Sequence, residues 1–415
     1  MADIHQSTLP NGLRIVLSLD DSAPLVGMSM LYDVGSRVEA RGSAGFAHLF
    51  EHMMFQGSEH LPNGEFMRRV QALGGHANGS TSRERTNLYM SLPSHELGLG
   101  LWMEADRLRA LCLTHDALEN QRKTVLEERL QKVDNSPYGA AHVKINEVSY
   151  QEFAYGHPVI GYREDIECAD LASLQAFYET WYRPNNVVLA VVGSLDIERT
   201  LDQVHALFGG IRRGEPSARP HGAEHPRMQT EIHRIVDELA HLPALFVNHQ
   251  SVPYGDPDFF VYEVIETLLF RGPSSRLIRR MVIEESSAVH LTGGYEAHRG
   301  PSLFSLFAVL PKEGSPMALA EAYQSELERL VSEPVPQDEL QKVRNQLRSN
   351  RIFGREILVS RATSLARSAL YHNDAHWEER YLERIGRVTA ADIQRVAARD
   401  FDPDGRVILE VMPGC

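Results

Sequence analysis

Cysteine is scarce in this chain: Cys112, Cys168 and Cys415 are the three among 415 residues. An odd count without a Cys-x-x-Cys pair excludes a disulfide framework and a thiolate zinc site. No apolar run approaches the roughly 18 residues that a membrane helix needs. The longest β-branched run, residues 187–192, has the length of a strand. The opening Met-Ala-Asp-Ile-His lacks the basic-then-apolar pattern of a secretory leader, so a cytoplasmic location is expected. A periplasmic location stays open if a leader has been trimmed away. Positive charge is also in deficit: 42 Lys and Arg against 56 Asp and Glu give a net charge of -14. That balance repels phosphate backbones, so neither nucleic acid nor a membrane is an expected partner. Neutral or basic peptides suit it better.

What is present is ordinary globular material, 43% hydrophobic and 24% charged, which argues against wholesale disorder. The length exceeds what one core usually fills and points to two domains of about 200 residues. Residues 213–226 hold Pro216, Pro220 and Pro226 together with Gly214 and Gly222. The expected division is therefore 1–212, a linker at 213–227, and 228–415. The two parts share a pattern. Ser173-Leu174-Gln175 before Pro184 recurs as Asp392-Ile393-Gln394 before Pro403, an offset of 219. Arg14-Ile15-Val16 recurs at nearly the same offset as Arg234-Ile235-Val236. Several matches at one offset indicate duplication. Strands are expected at 13–19 and 25–32. Helices are expected at 42–55, capped by Ser43, and at 66–73, 97–108 and 116–133. The expected fold class is α+β: two homologous domains, each a mostly antiparallel sheet layered with helices.

His48-Leu49-Phe50-Glu51-His52 falls inside the first expected helix. Positions i and i+4 share a face, so both imidazoles can reach one metal ion. Glu51 projects close to that face, where a carboxylate can take a proton from water and pass it to a leaving amine. The pattern is an inverted His-Glu-x-x-His zincin motif. The bland alternative is a helix with two surface histidines. A third donor is needed in any case, and the 116–133 helix offers Glu127 and Glu128. At 100° per residue, Glu127 points about 140° from the apolar stripe and Glu128 lies nearer its edge. That margin is small and leaves both open.

Five segments together resemble the pitrilysin and mitochondrial processing peptidase family, in its short-chain branch. They are the motif with Met53; Gly74-Gly75 with Asn78-Gly79-Ser80-Thr81; Glu119 through Glu127-Glu128-Arg129; His157-Pro158 with Gly161; and Tyr182-Arg183-Pro184-Asn185-Asn186. The resemblance implies that His48 and His52 bind Zn2+ and that Glu51 is the general base. It implies a third ligand in a Glu-Arg setting, which Glu128 before Arg129 fits, with Glu127 as the fallback. It also implies that Asn78, Gly79 and Ser80 form an edge strand that binds an extended substrate by β-addition.

Three departures accompany the resemblance. Some members carry a glutamate seven residues before the third ligand, where this chain has Gln121. In the second half, Glu263 and Thr267 stand opposite His48 and His52, so no equivalent metal site is expected there. The family's substrate-holding arginine and tyrosine fall on Val282 and Val289, with Tyr295 and Arg299 nearby but out of register. The expected protein is a zinc metalloendopeptidase cutting peptides or precursor leader segments. Its partner would be a homologous subunit that lacks the motif and supplies the Arg/Tyr pair. A non-catalytic scaffold subunit of the same fold is the second expectation.

Overall fold

The computed structural model describes residues 4–216 and 227–414. Most of the expected linker, 217–226, and Cys415 lie outside the described residues. The strands are β1 (Ile4–Thr8), β2 (Arg14–Leu19), β3 (Leu25–Tyr32), β4 (His76–Thr81), β5 (Thr86–Pro93), β6 (Val187–Gly193), β7 (Glu231–Asp237), β8 (Ala244–Ser251), β9 (His290–Glu296), β10 (Ser302–Val309) and β11 (Arg406–Pro413). They form a sheet of order β1-β2-β6-β3-β5-β4 and another of order β7-β11-β8-β10-β9. Leaving β1 aside, the second order repeats the first strand for strand. The pairing sense repeats too: β2 with β6 and β7 with β11 are parallel, and the rest are antiparallel. The fold is α+β, and the duplication read from the 219-residue offset is visible as this shared topology. No helix among the described residues is long and apolar enough to cross a membrane.

The central strands need cover on both faces. β6, Val-Val-Leu-Ala-Val-Val-Gly, is buried at every position. One face of the first sheet packs on α1 (Phe46–Met53), α2 (Glu65–Ala72) and α3 (Leu97–Arg109), where Leu49, Phe50 and Met53 join Met28, Met30 and Leu189. Two further helices, α4 (His115–Arg129) and α5 (Gly139–Ser149), follow in the chain. In the second half, α6 (Phe259–Phe270) and α7 (Leu358–His372) enter the argument below. The other face of the first sheet is covered by α7. Its Ala362, Ala366 and Ala369 lie on Val16, Leu31, Val188 and Ala190. Its counterpart α5 begins 219 residues earlier and covers the second sheet instead, with Ala141 and Ile145 against Phe246, Val407 and Leu409. Each compact unit therefore takes a helical segment from the opposite half. One unit holds 1–127, 158–220 and 351–380; the other holds 128–157, 221–350 and 381–415. These ranges differ from the sequence halves 1–212 and 228–415, because the small-residue face of α7 matches the first sheet.

Helix starts differ by a few residues from the expected ones. α1 begins at Phe46 with Gly45 as its N-cap, in a left-handed conformation at φ 97°. Ser43 does not cap it; its hydroxyl donates to the Ala40 carbonyl at 2.9 Å. The cap is instead the buried Glu39 carboxylate, which accepts from the Gly45 and Ala47 amides at 2.8 and 2.7 Å. A negative charge there also suits the helix dipole. At its other end α4 stops at Arg129, and a π-helical turn carries Leu130–Asp134.

The second unit buries one base without a partner. His249 on β8 faces the Tyr323 and Phe401 rings at 6.1 and 5.5 Å. Both its ring nitrogens lack a hydrogen bond among the described residues. Burial first, and the Arg406 charge second, push its pKa down to about 3. The unfolded chain regains a pKa near 6.5 and takes up the proton first, so stability falls as pH drops from about 6.5 toward 3. His249→Phe is expected to remove about 1 kcal/mol of the destabilisation seen between pH 7 and 5.5. Denaturant midpoints of both proteins at the two pH values measure it.

Candidate metal centre

α1 buries Phe46, Ala47, Leu49, Phe50 and Met53. Phe50 anchors it, with ring centroids 4.3 Å from Tyr182 and 5.8 Å from Tyr178. The helical period then leaves His48, Glu51 and His52 on the opposite, half-buried face. The two imidazoles stand 4.9 Å apart, with ring planes at 76°. Glu128, in the last turn of α4, completes a group with His48 and His52 whose donor atoms all lie within 4.8 Å of one another. Glu127 is exposed, while Glu128 is half-buried. The structure thus brings Glu128, not Glu127, to the histidines.

Two imidazoles and one carboxylate are a donor set found in catalytic zinc sites, where three protein ligands leave a fourth position open. Zinc bonds of about 2.0–2.2 Å require donors within about 4 Å of one another, so small side-chain movements close this set. Lys132 Nζ lies 2.5 Å from Glu128 Oε1 and balances its charge. The buried Gln121 sits two helical turns before Glu128 on the same face of α4, with Oε1 3.3 Å from His52 Nδ1. Accepting a hydrogen bond from Nδ1–H there would hold the tautomer that presents Nε2 to a metal, the orienting role that an outer-shell group plays. The Gln121 position, read as a departure, thus retains a hydrogen-bonding role without a charge.

Glu51 is positioned by β4, a contact that no local pattern of residues signals. The Thr81 hydroxyl donates to Glu51 Oε2 at 2.6 Å. Gly79 passes so close that a Cβ there would lie 2.7 Å from Glu51 Oε1. Any side chain at 79 would therefore displace the carboxylate. β4 is the edge strand of its sheet, paired only with β5 among the described residues. The Gly79 amide donates to the Asn78 side-chain oxygen at 2.8 Å. Asn78 and Ser80 are exposed on the strand's other face, so of the three expected substrate residues only Gly79 borders Glu51. The same carboxylate–glycine packing recurs 215 residues later: a Cβ at Gly294 would lie 2.9 Å from the Glu266 carboxyl carbon. There Glu263 and Thr267 replace the histidines. Glu263 accepts from the Tyr381 hydroxyl at 2.5 Å, and the Thr267 hydroxyl donates to the Glu263 carbonyl at 2.9 Å.

Val289 is exposed and Val282 half-buried, so neither offers a donor. The Tyr295 hydroxyl is spent on the Val252 carbonyl at 2.5 Å.

A fold of two like sheets, with an inverted zincin motif on a helix that covers one of them, defines a class of two-domain zinc-peptidase-like proteins. A sequence profile described as Insulinase (Peptidase family M16) matches residues 14–163. One described as Peptidase M16 inactive domain matches 169–347. The chain belongs to peptidase family M16. It is similar to the zinc protease PqqE of Helicobacter pylori, 27% identical over 96% of this chain and 90% of that protein. It is also similar to a probable mitochondrial-processing peptidase subunit beta of Arabidopsis thaliana, 25% identical over 94% of this chain and 75% of that one. Among solved structures, a protease from Helicobacter pylori superposes with a TM-score of 0.94 at 24% identity, covering all of both chains. The periplasmic protease PqqL of Escherichia coli superposes with a TM-score of 0.79 at 18% identity, and this chain spans 48% of it.

Proposed function

We propose that this chain is a zinc metalloendopeptidase that cleaves peptides or precursor leader segments, and that it works as the catalytic subunit of a heterodimer. The convergence of His48, His52 and Glu128 beside a separately anchored Glu51 carries this reading. His48, His52 and Glu128 would hold the zinc, with Gln121 orienting His52. Zinc supplies polarisation of the scissile carbonyl and lowers the pKa of water toward about 7. Glu51 takes the proton of the attacking water and returns it to the leaving amine. Thr81 holds one Glu51 oxygen and so orients the carboxylate. The substrate backbone lies along β4, where its carbonyl replaces the Asn78 oxygen on the Gly79 amide.

Val282 and Val289 cannot steady the developing oxyanion, which favours a homologous partner that supplies an arginine and a tyrosine. The second reading is a non-catalytic scaffold subunit. The match of 169–347 to a profile described as an inactive domain favours it, although that stretch lies outside the His-x-x-Glu-His segment. Zinc analysis separates the two readings. The peptidase reading expects one zinc per chain and cleavage of unstructured peptides that rises sharply when the partner is added. Absence of bound zinc would support the scaffold, and full activity from the chain alone would remove the heterodimer.

A further inference from the structure

Strand β4 has two faces with different chemistry. Gly79 and Thr81 turn toward Glu51. His76 and Ser80 turn the other way, into a cavity of about 760 Å3 between β4, β5 and the start of α7. All of these segments belong to the first compact unit. Ser80, Asn87 and Tyr89 from the strands, and Ser360, Thr363 and Ser364 from the helix, set hydroxyl and amide groups into walls that are otherwise largely apolar. The Asn87 amide is fixed between the two walls. It donates to Thr363 Oγ1 at 3.1 Å, and its carbonyl accepts from Ser29 at 2.6 Å. Charge at the rim is of both signs, with Glu356 on one side and Arg367, paired with Glu378 at 3.2 Å, on the other.

We infer that this cavity receives every second side chain of a peptide lying along β4 and selects long, uncharged hydrogen-bonding side chains such as glutamine. The inference rests on the peptidase reading for the position of the peptide. Side chains of an added strand alternate between the two faces of the sheet. One set therefore faces Glu51, and the next set reaches the hydroxyl-lined cavity. Hydroxyl groups both donate and accept, so they match an amide in either orientation. An apolar side chain would strip water from them and replace nothing. A carboxylate or ammonium gains no net attraction from a rim that carries both signs.

The test uses the full chain with Glu51→Gln, zinc-loaded, and fluorescent decapeptides of alanine and serine in which one glutamine moves along the sequence. Anisotropy is expected to show affinity that alternates with a period of two residues, with about a tenfold difference between neighbouring positions. Ser360 is exposed in the first turn of α7. Ser360→Trp, which fills the cavity, should bring that ratio to about one, whereas Ser360→Thr should keep it. Ser364→Leu repeats the test should Ser360→Trp fail to fold. A flat profile, a ratio untouched by both variants, or no binding of any peptide overturns the inference. Flat binding with cleavage by the wild-type chain and its partner leaves the peptidase reading standing alone. A period-two profile without any cleavage supports the cavity and removes the peptidase reading.

Discussion

Glu51→Gln is expected to keep one zinc per chain and to lose peptide cleavage by about 10²–10⁴-fold, the usual range for removing a general base. The substitution changes little else. The amide oxygen still accepts from Thr81, whose hydroxyl lies 2.6 Å from the present carboxylate. The side chain stays in place beside Gly79 but can no longer take a proton from water. Because Glu51 is outside the His48, His52 and Glu128 donor group, the zinc content read by atomic emission should match that of the unaltered chain. Wild-type turnover would deny Glu51 its role as base, and loss of zinc would make it a ligand.

Gly79→Ala is the second large effect, and it acts through space rather than chemistry. The added methyl would lie 2.7 Å from Glu51 Oε1 and 2.8 Å from its Cγ, closer than non-bonded carbon tolerates. Either the carboxylate or the strand gives way. A misplacement of about 1 Å at a reacting group costs about 10²-fold in rate. We expect kcat/KM to fall by about that factor while zinc content and thermal midpoint stay close to wild type, since an edge strand tolerates alanine. A crystal structure of the variant should show Glu51 shifted from Thr81. Unchanged kcat/KM would mean that the Glu51–Gly79 contact positions nothing.

The local parts of this architecture could be read from the chain, and the non-local parts could not. His-x-x-Glu-His marks a helix face by its own spacing, and α1 presents that face because Phe50 and Met53 bury the other one. Choosing Glu128 over Glu127 by angle alone left a small margin. The packing of α4 exposes Glu127, half-buries Glu128 and sets Glu128 within 4.8 Å of the two histidines, which is a matter of tertiary placement. Ser43 looked like a cap because capping is read from adjacent residues, whereas the true cap, Glu39, folds back over a short loop. Thr81 and Gly79 carried no signal for their roles, because what they do depends on a strand lying against a helix that precedes it by about 30 residues. The expected substrate segment was read as one unit, but strand alternation divides it, with Gly79 toward Glu51 and Asn78 and Ser80 away from it. The exchange of α5 and α7 between units leaves no trace in periodicity, since a helix's own pattern does not record which sheet it docks on.

That exchange fixes the order of events during synthesis. The first sheet has all its strands by Gly193, yet the face built on Val16, Leu31, Val188 and Ala190 stays bare until α7 has left the ribosome, more than 150 residues later. The nascent amino-terminal half therefore waits with an apolar surface uncovered, at the mercy of chaperones and of neighbouring chains. Neither half is a free-standing module that could be transplanted by cutting at the proline-rich junction. An evolutionary duplication that began as two copies has become a single interdependent chain.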